Sequence, residues 1–186
     1  MISDEKLVEE SLAGSELAFS ELVGRYQERL LRYLLTRCRN RADAEDAVQD
    51  TFISAYRYLY SFNPRWRFST WIYRIAIRNA ARQSKDKVHA LDAIVDEDAP
   101  DPLESCIVDS DHENVWLTAR RLLSREAFAA MWLRYVEDMS IKEVARALDK
   151  TQSWAKVTLL RGRRSLSAEL GDGTAAEARR ESYGRI

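Results

Sequence analysis

The chain runs to 186 residues, 46% hydrophobic and 32% charged, with 29 Lys and Arg against 30 Asp and Glu for a formal charge of -1. That length fits one ordinary domain or two small ones with apolar material enough for a core, and the charge density excludes a fibre or a membrane span. Six Gly and three Pro are too few for a turn-rich β-sandwich or a glycine-loop nucleotide fold, so the expected class is all-α.

The start, MISDEKLVEES, lacks the basic-then-apolar order of a secretory signal, and a cytoplasmic location without membrane insertion is expected. In chain order, apolar residues from Phe19 recur at Leu22, Val23, Tyr26, Leu30, Tyr33 and Leu34, the spacing of one helix face. A second helix follows Asp43 as its cap, with Ala44, Ala47, Val48, Thr51, Phe52, Ala55, Tyr56 and Leu59 inward. Glu45, Asp46, Gln49 and Asp50 then project from its other side. A loop holds Asn63, Pro64, Arg65, Trp66 and Arg67, and Ser69 is placed to cap a third helix reaching about Lys85.

On that third helix Ile72, Ile75, Ala76 and Asn79 share one side, while Trp71, Arg74, Arg78, Arg82 and Lys85 line a second. Rings interleaved with cations, here Trp66, Phe68, Trp71 and Tyr73 among arginines, suit unstacked bases: a ring stacks on the base while a guanidinium meets phosphate. Core packing is the alternative for Trp71 and Tyr73. The stretch Asp92 to Asp109 carries Pro100 and Pro102 without helical period and reads as a linker.

Ser110 with Glu113 has capping-box spacing ahead of Val115, Trp116, Ala119 and Leu122. Ser124 can cap the next helix, burying Phe128, Met131, Trp132 and Tyr135. Ser140 with Glu143 is a second capping box, leading a short helix through Val144, Ala145 and Leu148 to a turn at Asp149 and Lys150. The last helix spans about Gln152 to Leu170 with Ala155, Leu159, Gly162 and Leu166 inward. Short helix, brief turn and longer basic helix is the outline of a helix-turn-helix, with Lys156, Arg161, Arg163 and Arg164 outward.

Charge is segregated along this order. Residues 61–90 hold 7 basic and 1 acidic side chains, residues 91–117 hold 9 acids and no Lys or Arg, and residues 118–170 return to 11 basic against 6 acidic. Two basic ends around an acidic middle make a nucleic-acid partner plausible. The two cysteines, Cys38 and Cys106, lie far apart with only His89 and His112 to join them, so neither a disulfide framework nor a metal site is expected.

The run FSTWIYRIAIRNAARQSK, Phe68 to Lys85, resembles the promoter-melting and minus-ten segment of the extracytoplasmic-function (ECF) group of sigma-70-type sigma factors, subunits that direct bacterial RNA polymerase to promoters. RADAEDAVQDTFISAYR, Arg41 to Arg57, resembles that group's polymerase-binding helix. The resemblance implies two small helical domains: region two over 1–88 and region four over 110–170, joined by an acidic linker at 89–109 and followed by a disordered tail at 171–186. It implies no enzyme, no cofactor and no metal. The partners it implies are the polymerase core, through its β′ clamp helices and β flap, promoter DNA and, commonly in the family, an anti-sigma factor.

Carried over position by position, the likeness assigns Asp43, Glu45, Asp46, Gln49 and Asp50 to the clamp helices. It assigns Asn63, Arg65, Trp66, Arg67, Phe68, Trp71, Arg74, Arg78, Asn79 and Arg82 to the minus-ten element. Gln152, Ser153, Lys156, Val157, Arg161 and Arg164 fall to the minus-35 element. The second domain departs from the family's usual form, with Trp154 where a small Thr is common, Ala155 where Val is common and Thr158 where a cation often sits. The competing expectations are a polymerase-independent helix-turn-helix repressor, which would need a dimer, and a helical protein-binding adaptor.

Overall fold

The computed structural model describes residues 2–38, 40–90 and 112–183, with side chains described for 2–38, 40–82 and 115–170. All regular elements among them are helical, and the chain divides into two compact units, Met1–Val108 and Asp109–Ile186. Of the linker expected at 89–109, residues 89 and 90 are helical, and 91–109, with Ser110, the expected cap ahead of Val115, lie outside the described residues.

The first unit opens with α1 (Asp4–Leu12), which the apolar periodicity read from Phe19 onward had not reached. Ser3 caps it through its hydroxyl, which accepts from the Lys6 amide at 3.2 Å. Its end needs Gly14 at φ 99, a left-handed position that side chains adopt at a cost. Arg25 then fastens α1 to α2 (Glu16–Leu35): its Nη1 donates to the Ile2 carbonyl and to Asp4 Oδ1, both at 2.8 Å. The Tyr26 hydroxyl donates to the other Asp4 oxygen, and burial first, then that bond, holds the phenol well above its usual pKa.

Helix α3 (Arg41–Arg57) starts three residues earlier than Asp43 as a cap would allow. Asn40 caps instead, its Oδ1 accepting from the Asp43 amide at 2.8 Å, which leaves Asp43 inside the first turn where its charge favours the helix dipole. A short 3-10 turn (Leu59–Ser61) and a loop lead to α4 (Phe68–Ala90). Ser69 does not cap α4; the helix has already begun, the Arg67 carbonyl accepts from the Thr70 amide at 3.1 Å, and Ser69 is buried. The core is Leu22, Leu30 and Leu34 of α2, Ala44, Ala47, Thr51 and Ala55 of α3, and Phe68, Ile72, Tyr73 and Ala76 of α4. Alanines on α3 let it lie close to both neighbours, with which it packs.

In the second unit α5 (His112–Leu122), α6 (Arg125–Tyr135) and α7 (Ile141–Ala147) all pack on α8 (Gln152–Tyr183). Ser124 caps α6, its hydroxyl accepting from the Ala127 amide at 3.3 Å, and both bonds of the Ser140/Glu143 capping box form, as the spacing predicts. Trp116, Phe128 and Trp132 make an aromatic cluster with ring centroids 5.1 to 6.0 Å apart. Three residues placed inward by periodicity are instead open: Tyr56 is 58%, Leu122 40% and Tyr135 48% exposed. Spacing marks a face, but residues at its edge reach solvent, and a tyrosine hydroxyl favours doing so.

The helical backbone of α8 passes Leu170 and continues to Tyr183. Closer to the core, a Cβ on Gly162 would stand 3.1 Å from Met131 Sδ, so a side chain there would press on Met131 where α6 and α8 meet. Gly162→Leu should therefore destabilise this unit by about 1 to 3 kcal/mol through overpacking, read as a fall in the urea midpoint.

Candidate nucleic-acid interface

Helix α3 buries Ala44, Ala47, Val48, Thr51 and Ala55, and Thr51 Oγ1 donates back to the Ala47 carbonyl at 2.7 Å. The 3.6-residue period then sends Glu45, Asp46 and Gln49 outward, all exposed, with Asp43 and Asp50 half-buried at the flanks. Glu45 pairs with Arg41 at 2.8 Å, both more than half exposed, so this contact adds little to stability. The same face runs on to Ile53, 51% exposed, and to Tyr56, whose ring meets Phe19 edge-on at 4.9 Å. Sequence reasoning missed this apolar continuation because it turned Tyr56 inward. The signal was the Gln49, Ile53, Tyr56 spacing.

The loop after the 3-10 turn is built by Asn63. Its Oδ1 accepts from the Arg65 amide at 3.0 Å and its carbonyl from the Trp66 amide at 3.0 Å, folding Pro64 into a tight turn. Arg65 and Arg67 stand exposed on either side of half-buried Trp66. Along α4, Trp71 and Arg74 are half-buried and Arg78 and Arg82 are exposed, so one ring and the guanidinium groups do share a side of this helix.

Two residues assigned to DNA are not on the surface. Phe68 is fully buried, its ring 5.3 Å from Tyr26, 5.9 Å from Phe62 and 5.6 Å from Trp71. Asn79 is 8% exposed, and its Nδ2 donates to Ser54 Oγ of α3 at 3.3 Å. Both positions fall on the core side of α4, where the aromatic or amide type alone gives no sign of direction. Tyr73 is core as well, its hydroxyl donating to the Arg29 carbonyl at 3.3 Å and its ring 5.6 Å from Tyr33. Phe68 supports the site indirectly: it is the floor on which Phe62 and Trp71 rest.

In the second unit the turn before α8 puts Asp149 at φ 54, and Thr151 Oγ1 accepts from the Trp154 amide at 3.1 Å to cap the helix. With Ala155, Leu159, Gly162 and Leu166 buried, Gln152, Ser153, Lys156, Val157, Arg161 and Arg164 are all exposed. Trp154 is half-buried beneath Lys150, whose ammonium lies 5.4 Å from the indole centroid and 2.8 Å from Glu126 of α6. The indole is thus a packing element of the turn.

The family model described as Sigma-70 region 2 matches residues 22–89, and that described as Sigma-70, region 4 matches residues 117–166. The chain is 30% identical over 185 residues to the ECF RNA polymerase sigma-E factor of Haemophilus influenzae, covering 91% of this chain and 96% of that protein. Its fold is similar to CnrH, solved in complex with the cytosolic domain of CnrY (TM-score 0.66, 21% identity, 91% of this chain and 97% of that one). It is also similar to the sigma factor RpoE solved with the anti-sigma factor NepR from Bartonella quintana (TM-score 0.61, 20% identity, 82% of this chain and 96% of that one).

Proposed function

The chain belongs to the ECF sigma factors of the sigma-70 family, and from that premise we propose how its own residues carry out promoter-directed initiation by bacterial RNA polymerase. The acidic outer face of α3, extended by Ile53 and Tyr56, docks on the polymerase. The face built from Arg65, Trp66, Arg67, Trp71, Arg74, Arg78 and Arg82 receives the non-template strand of the minus-ten element. Helix α8 enters the major groove of the minus-35 element through Gln152, Ser153, Lys156, Val157, Arg161 and Arg164. The observation that supports this reading most is the half-buried Trp71 flanked by arginines, on a helix whose other described aromatic rings, Phe68 and Tyr73, are core.

Opening DNA is binding, not bond chemistry, and the sequence of residues points to no catalytic group. Stacking a base on an aromatic side chain contributes about 1 to 3 kcal/mol, and unpairing costs a few, so two or three captured bases shift the balance toward the bubble. The basic blocks add counterion release, but a chain of net charge -1 binds DNA weakly by itself and relies on the polymerase for the remaining affinity. Among the described residues no helix is long and apolar enough to cross a membrane, consistent with action beside the polymerase in the cytoplasm. Both structural neighbours above were solved with a second protein bound, and an anti-sigma factor is a partner proposed for this chain as well.

Run-off transcription on a genomic fragment library with bacterial core polymerase, with and without the chain, tests the reading. New transcripts sharing one pair of upstream elements are expected. Tight sequence-specific binding by the chain alone, with no core-dependent transcripts, would contradict it.

A further inference from the structure

The outward face of α8 carries an apolar pad that charge attraction to DNA does not explain. Val157 is 46% exposed and Leu160 41% exposed, in the second and third turns of the helix. At about 100° per residue, Val157 stands opposite the buried stripe of Ala155, Leu159, Gly162 and Leu166, at the centre of the outward face. Ser153 precedes it by one turn, Arg161 follows by one and Arg164 by two, all exposed. Leaving branched aliphatic groups in water here costs free energy that a solvated basic helix would avoid.

If α8 is the reading helix, as proposed above, the partner of this pad is restricted by chemistry. Across all base pairs the major-groove edge presents hydrogen-bond donors and acceptors and one apolar group, the thymine C5-methyl. Residues in the first turns of a recognition helix are those that meet base edges. The neighbouring groups fit the same surroundings: Lys156, Arg161 and Arg164 are exposed around the pad, supplying the positive charge that a phosphate backbone attracts. We propose that Val157, with Leu160 at its shoulder, forms a thymine-methyl contact, and that it makes a thymine at one position of the upstream element a specificity determinant for this chain.

The test uses full chain assembled with core polymerase. The upstream element is first selected from duplexes randomised in the minus-35 region, and each selected thymine is then replaced singly by uracil, which removes only the methyl. At one position uracil should weaken holoenzyme binding about fourfold, the effect of one buried methyl. Val157→Ala should weaken binding to the thymine duplex by a similar factor and abolish the further loss on uracil. Arg161→Ala, a phosphate contact, should keep the uracil effect while lowering affinity for all sequences. The proposal is overturned if uracil is neutral at every position, or if its effect persists in Val157→Ala. Neutral uracil together with weakened core binding by Val157→Ala would assign the pad to a protein partner instead. Selection that returns no upstream preference would overturn the reading of α8 itself, a result separate from a preference insensitive to uracil.

Discussion

Asp46→Arg together with Gln49→Arg is expected to reduce affinity for core polymerase by about a hundredfold, roughly 2.7 kcal/mol, and to abolish run-off transcription. Both side chains are exposed on α3 and neither carries core, so the melting temperature should stay within about 4 °C of the parent, as for two surface substitutions worth about 0.5 kcal/mol or less each. The two arginines add positive charge to a face proposed to meet a complementary partner, and like charges brought together at an interface cost several kcal/mol. Core affinity measured by titration of a labelled chain decides it. A double variant that binds core as tightly as the parent would remove α3 from the interface.

Phe68→Ala carries the largest expected loss of stability. The ring is buried and touches Tyr26, Phe62 and Trp71, and removing such a side chain costs about 3 to 5 kcal/mol, against a total of about 5 to 15 for a domain. Phe68→Leu keeps most of the volume and should cost less than about 1.5 kcal/mol. Chemical denaturation of both variants separates a floor from a base contact. A Phe68→Ala chain as stable as the parent, but defective in opening, would restore the residue to the DNA-facing set.

The helices were legible because their periods, caps and turn residues are local: the Ser140/Glu143 box, the Ser124 cap and the Asp149 turn stand where the sequence places them. What was not legible is direction at the edge of a face. The resemblance assigned Phe68 and Asn79 to DNA, although the period had already set Asn79 beside Ile72, Ile75 and Ala76; Tyr26 covers the one and Ser54 bonds the other. Tyr56 suffered the reverse error. Helix α1 escaped because only Leu7 and Val8 of it are buried, too few to set a period; it is held by the Asp4–Arg25 ion pair, a contact 21 residues apart that no local pattern announces. Cap choice failed at α3 for a different reason, since Asn40 and Asp43 are equally good caps by type.

The account depends on Trp71 as a stacking surface for unpaired DNA rather than a roof over Phe62 and Phe68, which it meets at 5.7 and 5.6 Å. Permanganate reactivity of minus-ten thymines, measured beside gel-shift affinity for holoenzyme made with Trp71→Ala and with Trp71→Phe, tests that most directly. The expected result is a loss of thymine reactivity of about tenfold for Trp71→Ala, in the range of one lost base stack, with closed-complex affinity changed less than about twofold and most reactivity kept by Trp71→Phe. Equal losses in opening and in closed-complex binding, or reactivity untouched by the alanine, would contradict it.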